Sequence, residues 1–299
     1  MKTFFVMTKR NIKMFFKDKG MFFTSLITPV ILLVLYSTFL AKVYRDSFRA
    51  SIPQGFAIEE SLINGTVGGE LFSSLLAVCC VTVAFCANML MVQDKVSGAR
   101  KDFSITPTKK STLAISYFTA SLATTLIISY TASAACFVYI AIKGWYLSFG
   151  DVMLIILDVF MLTVFGVAIS SVINAFLSSQ GQISAVGTIV SAGYGFVCGA
   201  YMPLASFGEG LRNVAMFLPG TYGTSLIRNH TLAGVFREMS SVGFPDEVIE
   251  GIKDGVDCNL YFFGHDVREG AMYAVMFGSI ALLVGAYILI NILKGRAQK

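Results

Sequence analysis

Long uninterrupted apolar stretches are the main feature of the hydrophobic pattern in this chain. A helix needs roughly 20 predominantly apolar residues to cross the hydrocarbon core of a bilayer, and several stretches reach about that length. They occupy residues 21–41, 71–93, 113–142, 152–177, 183–202 and 270–293. Pro29 lies inside the first stretch, where a membrane helix tolerates a kink. The pattern therefore predicts an all-α membrane protein with six transmembrane helices.

A basic amphipathic helix is predicted over residues 2–19, ahead of the first apolar stretch. It forms most of an interfacial segment, residues 1–20. At helical periodicity its apolar side chains share one broad face and its basic side chains share the other. The apolar set is Phe4, Phe5, Met7, Ile12, Met14, Phe15 and Phe16, and the basic set is Lys2, Lys9, Arg10, Lys13 and Lys17. Such a helix lies in the headgroup plane and is held there by anionic lipid. A cleaved signal peptide is the weaker alternative, since the next apolar stretch is too long for one.

Residues 94–112, between the second and third stretches, combine dense positive charge with a short helical pattern. Gly98 breaks the incoming helix, residues 99–105 can form a new one, and Pro107 ends it. A short helix at the mouth of a membrane bundle suits a docking site for a soluble partner. A basic loop that only fixes topology is the alternative.

Two polar segments, residues 42–70 and 203–268, are predicted to lie on the opposite side of the membrane. The first carries several acids, Glu70 among them, and the second is rich in glycine, proline and acids. Neither looks like a separate soluble domain. The chain is therefore predicted to be a single transmembrane domain, 1–299.

Composition and charge agree with this interpretation and give it an orientation. A chain with 55% hydrophobic residues, 14% charged residues and a mean hydropathy of +0.71 is not a soluble globular protein. The N-terminal helix, the 94–112 loop and the C-terminal tail hold 14 of the 23 basic residues but only 3 of the 18 acids. The positive-inside rule predicts that these segments, and with them both termini, lie on the cytoplasmic side of the cell membrane. The net charge of +5 is accordingly no sign of a nucleic-acid partner.

The remaining chemistry-bearing residues do not form a catalytic or metal-binding pattern. Most cysteines lie in predicted spans, where cysteine behaves as a small hydrophobe; only Cys258 is clearly external, and a bridge to Cys198 is left open. His230 and His265 are both predicted to be external and distant from each other. No phosphate-binding loop or hydrolase motif occurs. The chain is predicted to be no enzyme and to bind no cofactor, so any ATPase must be a separate chain.

The order of these parts resembles the permease subunit of type-2 ATP-binding-cassette (ABC) exporters. One supporting motif lies in the loop, where Val96 departs from the family pattern because an acid is common there. The matching residues are Asp94, Lys95, Gly98, Thr106 and Pro107, with Lys101-Asp102-Phe103 similar to a subset of the family. A second motif resembles the family's fifth-span ending and external return. It comprises Gly199, Tyr201-Met202-Pro203, Pro219-Gly-Thr-Tyr222 and Arg228.

The resemblance implies a mechanism and a set of partners. The loop helix would be a coupling helix that docks into a groove on a cytoplasmic ABC ATPase, which carries the ATP and Mg²⁺. Its implied contact residues are Asp94, Lys95, Gly98, Arg100, Lys101, Asp102, Phe103, Thr106 and Pro107. The segment after the fifth span would re-enter the outer leaflet as short helices. Two permeases, identical or paralogous, and two ATPases would export an amphipathic drug, lipid, peptide or glycan by alternating access.

Several residues inside the predicted spans bear on packing or substrate. Gly195 and Gly199 form a G-x-x-x-G, which permits close helix contact in a bundle or at a dimer interface. Asp158 lies in the fourth span, and an intramembrane acid usually faces a partner or a watery cavity. We expect it to favour cationic or amphipathic substrates, unless it lies in the headgroup layer. Asn88 and Asn174 are milder pathway candidates, more often helix-to-helix hydrogen bonds.

Two other classes of protein were weighed against the permease. A secondary transporter or channel needs no ATPase, but such carriers usually place ionisable residues in their spans and show paired broken helices. A lipid-modifying membrane enzyme needs a cluster of catalytic residues near one membrane face. The spans of this chain carry few ionisable residues, and the sequence shows neither paired broken helices nor such a cluster.

Overall fold

The computed structural model describes residues 2–42, 45–46, 59–105 and 108–296. This part of the chain is helical almost throughout, as the all-α class requires. The α-helices are α1 (Lys2–Lys17), α2 (Lys19–Leu35), α3 (Glu60–Val96), α4 (Ala99–Ile105), α5 (Lys110–Lys143), α6 (Phe149–Phe176), α7 (Gln180–Val197), α8 (Glu209–Ala215), α9 (Pro219–Ser241), α10 (Asp246–Gly255) and α11 (Glu269–Arg296). A π-helical turn, Tyr36–Leu40, extends α2, and Leu204–Ser206 is a 3-10 turn. Strands β1 (Tyr261–Phe262) and β2 (His265–Asp266) form an antiparallel hairpin.

Helix α3 is the centre of the bundle. Nearly all its side chains are buried, and α2, α5, α6, α7 and α9 pack around it. The predicted second span, 71–93, is therefore only part of this helix, which has 37 residues and begins at Glu60. Its first turns look polar in sequence, but α9 covers them, and Gly69 gives α9 room because a Cβ there would lie 2.5 Å from Leu232 Cδ2.

Four of these helices are long and apolar enough to cross a membrane: α3, α5, α6 and α11. The pair α1 and α2, bent by 70°, passes the same test only when the two are taken together. The fifth predicted span corresponds to α7, a helix of 18 residues whose glutamines, glycines and serines lower its hydropathy. The structure thus describes a helix at each predicted span, and six crossings remain a prediction.

The bend between α1 and α2 lies at Asp18. Its side chain accepts a hydrogen bond from the Met21 amide at 3.1 Å, which caps the start of α2. Helix α1 packs along α5, with Asn11 and Phe15 buried, while Phe5 on the same helix stays exposed. Part of the apolar face that was predicted to contact lipid therefore packs against the bundle instead.

The segment after α7 is more deeply packed than the sequence predicts. Helix α9 has 23 residues and is largely buried against α3, α6 and α11, so the prediction of short helices is wrong for it. Gly223, near its start, packs against Leu162 in the middle of α6, whereas Arg237, near its end, reaches Asp151 at the start of α6. The polar residues of α9 are buried because they find partners inside the bundle.

The two ends of the bundle are named here by the helices that mark them. The α4 end carries α1, α4 and the turn between α6 and α7. The α10 end carries the start of α3, the turn between α5 and α6, and α10.

All six cysteines are described and are free thiols, so Cys198 and Cys258 are not bridged. Burial raises the pKa of Cys258 well above its ordinary value, which keeps this thiol protonated and unreactive.

Candidate functional site

Helix α4 connects α3 to α5 at the α4 end of the bundle. Its bounds, Ala99–Ile105, agree with the helix predicted at 99–105. Gly98 turns the chain out of α3 with φ of +85°, a conformation that glycine adopts at little cost. The loop is therefore a short helix directly tied to two long ones.

An ion pair beside α4 ties the neighbouring helices α1, α3 and α5 together. The Asp94 carboxylate, in a residue only 4% exposed, binds the Arg10 guanidinium through both oxygens, with Nη2 to Oδ1 at 3.0 Å. The Tyr117 hydroxyl donates to the same carboxylate. Bidentate pairing of this kind is both strong and directional. Asp94 thereby joins α1, α3 and α5 at one point, which we call the Asp94 clamp.

Lys95 is also turned inward. Its Nζ donates to the backbone carbonyls of Asn174, Ala175 and Leu177 at 3.1–3.2 Å. These carbonyls end α6, where a cation offsets the negative end of the helix dipole. Asp94 and Lys95 were expected to contact an ATPase. Their charged groups bind this chain's own helices, and the ATPase contact stays a prediction.

The other expected contact residues fall on and around α4. Asp102 is exposed, whereas Arg100 and Phe103 are half-buried. The Arg10 guanidinium lies 5.2 Å from the centre of the Phe103 ring, a cation–π distance. Lys101 is also part of this helix. Thr106 and Pro107 lie outside the described residues.

A second charged cluster lies near the α10 end. Arg228 of α9, 1% exposed, places Nη1 3.3 Å from Asp257 Oδ2 and Nε 3.4 Å from Glu70 Oε2. Its Nη2 donates to the Gly199 carbonyl at 2.9 Å and to Ser74 Oγ at 3.2 Å. One guanidinium therefore joins α3, α9, the end of α7 and the loop after α10. We call Glu70, Arg228 and Asp257 the outer triad.

The two carboxylates of the outer triad are not equally well bound. Asp257 also accepts the amides of Leu204 at 2.6 Å and Ala205 at 3.3 Å. Burial raises the pKa of Asp257, although Arg228 and these amides act the other way. Glu70 is 1% exposed, and neither of its oxygens accepts a hydrogen bond from any described residue. Its contact with Arg228 is a long ion pair and no more.

An open cleft of about 1260 Å³ runs between α2 and α7, with α3 as its floor. Its lining extends from Asp18 and Gln93 at the α4 end to Glu70 and α10 at the other. Most of the lining is apolar, contributed by residues such as Ile31, Leu35, Phe39, Val67, Phe196 and Met202. The cleft is thus a lengthwise groove, and the outer triad presents Glu70 to it.

The model of the ABC-2 type transporter family matches residues 2–231, well over half of the chain. The chain belongs to the ABC-2 type transporter family. It is therefore a multi-pass membrane protein of the permease type. The comparison with curated proteins gives no match.

In this ABC-2 permease, Asn88 and Asn174 are interior residues away from the cleft. Asn88 Nδ2 lies 3.0 Å from Ser171 Oγ and 3.2 Å from the Val167 carbonyl, and its Oδ1 accepts the Ser121 hydroxyl at 2.8 Å. Asn174 is buried where α6 ends. Neither lines the cleft, and Asn88 holds α3, α5 and α6 together.

Asp158 also lies in the interior, 2% exposed, and does not line the cleft. Its Oδ2 lies 2.5 Å from His230 Nδ1, and its Oδ1 accepts the Tyr273 hydroxyl at 2.6 Å. His230 was predicted to be external and is instead buried, because α9 carries it into the bundle. The Asp158 carboxylate joins α6, α9 and α11 and leaves no oxygen facing the cleft.

The paired glycines do not form a helix-packing face. Helix α7 ends at Val197, and Gly199 follows with φ of +74°. The amides of Ala200 and Tyr201 both donate to the Gly195 carbonyl at 2.8–2.9 Å, the bonding of a helix C-cap. Gly195 faces the ring of Tyr201 in its own segment. A continuous G-x-x-x-G face is therefore wrong here.

The residues of the external-return motif organise the turns around α9. Pro219 is the first residue of α9, where a missing amide donor costs nothing. The Tyr222 hydroxyl donates to the Met216 carbonyl at 2.6 Å, across the turn that precedes the helix. Pro203 lines the cleft, and Arg228 forms the outer triad.

Glu70 and Asp257 are the residues that the sequence did not single out. Both lie in segments predicted to be external, where an acid is unremarkable. The available signal was Arg228, since an arginine in this return needs carboxylate partners if it is buried. Nothing in the spacing shows which acids those are.

Proposed function

We propose that this chain is the permease subunit of an ATP-driven exporter, powered by a separate cytoplasmic ABC ATPase that docks on α4. The observation that carries the proposal is the Asp94 clamp, which ties α1, α3 and α5 together beside α4, with its Arg10 over the Phe103 ring of that short helix. In this proposal the α4 end is cytoplasmic, the α10 end is external, and two permeases work together. The substrate is an amphipathic molecule that leaves through the cleft.

Helix α3 offers a direct mechanical link between docking and transport. Asp94 lies at one end of this unbroken helix, and Glu70 lies on the cleft wall near the other end. Nearly seven turns of helix separate them, or roughly 36 Å at 1.5 Å per residue. Because the clamp ties α1 and α5 to α3, a displacement of α4 moves three helices together. Closure of an ATPase pair could therefore reshape the cleft at a distance, as coupling between two sites requires.

Asp102 provides the sharper test of docking, because Phe103 is partly used for packing against α1. Asp102 is exposed on α4, so Asp102→Lys changes the docking surface without disturbing the core. We expect this variant to retain about a tenth or less of its ATPase partner on co-purification, since misplaced charge at an interface costs several kcal/mol.

Ser97→Lys is the matched control, because it places the same lysine in the same loop but before α4, at another exposed residue. It should keep the partner and its ATP hydrolysis. If Asp102→Lys and Ser97→Lys retain the ATPase equally well, α4 is not the docking helix.

A further inference from the structure

We propose that the cleft binds amphipathic cations, with Glu70 as the residue that receives the positively charged group. The inference rests on the proposed function only where it takes the bound molecule to be cargo for export. It assigns a substrate class to a cleft whose charges and shape are described above, and it moves the acidic determinant from Asp158 to Glu70.

The outer triad holds more buried acids than buried cations. Two buried carboxylates share one guanidinium, and that guanidinium also binds the Gly199 carbonyl and Ser74. Asp257 receives two backbone amides in addition, whereas Glu70 accepts no hydrogen bond from any described residue. A buried carboxylate without hydrogen bonds is costly. A ligand cation would reduce that cost and gain affinity by doing so.

The charges along the cleft have one sign. Among the described residues that line it, the ionisable acids are Glu70 and Asp18, and lysine, arginine and histidine are absent. Like-signed walls attract ions of the opposite charge and repel the rest. An anionic lipid headgroup or a phosphorylated glycan would therefore be disfavoured in this cleft.

The walls also define the rest of the ligand. The side chains on α2 that line the cleft are mainly apolar, and α7 adds Ile183, Ala192 and Phe196 together with polar groups such as Ser184, Thr188 and Ser191. Sites that bind an apolar body with a few polar contacts have this character. A volume of about 1260 Å³ exceeds the roughly 300–1,000 Å³ of common small-molecule sites. A ligand with an apolar body and one ammonium, phosphonium or guanidinium group could pack against the apolar walls and place its charge near Glu70.

The test uses the purified full-length chain in phosphatidylcholine nanodiscs, with empty nanodiscs as background. Tetraphenylphosphonium is the cationic probe, and tetraphenylborate is an anion of similar size. We expect saturable binding of tetraphenylphosphonium, and no saturable binding of tetraphenylborate. Equal binding of both ions by the wild-type chain would show an apolar cleft without charge selection and would overturn the proposal.

Glu70→Gln removes the charge and keeps the shape of the side chain. We expect it to weaken tetraphenylphosphonium binding by about tenfold or more, because this probe carries a charge but no hydrogen-bond donor and is attracted to Glu70 by charge alone. Glu247→Gln removes an exposed acid of α10 outside the cleft and should bind like wild type. Unchanged binding by Glu70→Gln would contradict the assignment.

A second variant keeps the test decisive if Glu70→Gln is unstable. Ala192 is an exposed cleft residue of α7, and Ala192→Trp adds bulk there while leaving Glu70 intact. It should also weaken tetraphenylphosphonium binding, and wild-type affinity in this variant would place the probe elsewhere. Because binding to the permease alone needs no ATPase, its failure is distinct from a failure of the ATPase to co-purify.

Discussion

At the residue scale, the account depends on a few buried charges that each join several helices. Arg228, Asp94 and Asp158 are all nearly inaccessible, and each binds groups on at least two other elements. Buried charges are stable only when they are paired and hydrogen-bonded. These residues therefore organise the bundle. Among the described charged side chains, Glu70 is the one that is buried, lines the cleft and accepts no hydrogen bond.

Arg228→Leu tests the structural role of the outer triad. It leaves Glu70 and Asp257 buried without their cation, and breaking a buried pair in this way costs about 3–5 kcal/mol. We expect a clear fall in the thermal unfolding temperature of the purified chain. Arg237→Leu is the control on the same helix, because its pair with Asp151 is largely exposed on the arginine side and is worth about 1 kcal/mol or less. Similar losses in both variants would show that the triad has no special role.

At the element scale, local signals predicted α4 better than they predicted the buried helices. Gly98 and Pro107 mark the bounds of α4 in the sequence itself, so its position needed no knowledge of the fold. Helices α3 and α9 are different because their polar residues are buried by neighbours far away in sequence. The sequence pattern shows apolar periodicity, but it does not show that Glu70 meets Arg228 or that His230 meets Asp158.

Close packing of α3 against α6 depends on Gly166. A Cβ at this position would lie 2.8 Å from the Cys80 carbonyl oxygen and 3.1 Å from Val81 Cα, both backbone atoms. Gly166→Ala should therefore destabilise the chain by about 1–3 kcal/mol, the usual cost of overpacking. Gly193→Ala in α7 meets no described atom within 4 Å and should gain up to about 1 kcal/mol from helix propensity. Thermal unfolding measures both, and a stabilising Gly166→Ala would contradict the packing.

At the scale of the whole molecule, the distribution of charge predicts the orientation, while the structure supplies the link across the membrane. Basic residues gather at the α4 end, and α3 runs from there to the outer triad. The family assignment fits this arrangement of a docking end and a cleft. The sequence led us to expect a cationic substrate from Asp158, whereas the acid that we propose to receive it, Glu70, was one of several in a polar segment.

The predicted orientation is testable by cysteine labelling on a background without the native cysteines, all of which are buried. Lys109→Cys places an exposed thiol at the α4 end, and Glu247→Cys places one on α10. An impermeant maleimide should modify only Glu247→Cys in intact cells and both variants after permeabilisation. The reverse labelling pattern would invert the topology.

The central claim is that this permease works with a separate ABC ATPase bound at α4. The most direct measurement is affinity purification of the tagged full-length chain from its native membranes, followed by identification of the proteins that elute with it. We predict an ABC ATPase in a one-to-one ratio with the permease, lost in Asp102→Lys and kept in Ser97→Lys. A chain that elutes without any ATPase, and still transports substrate in vesicles free of ATP, would contradict the account.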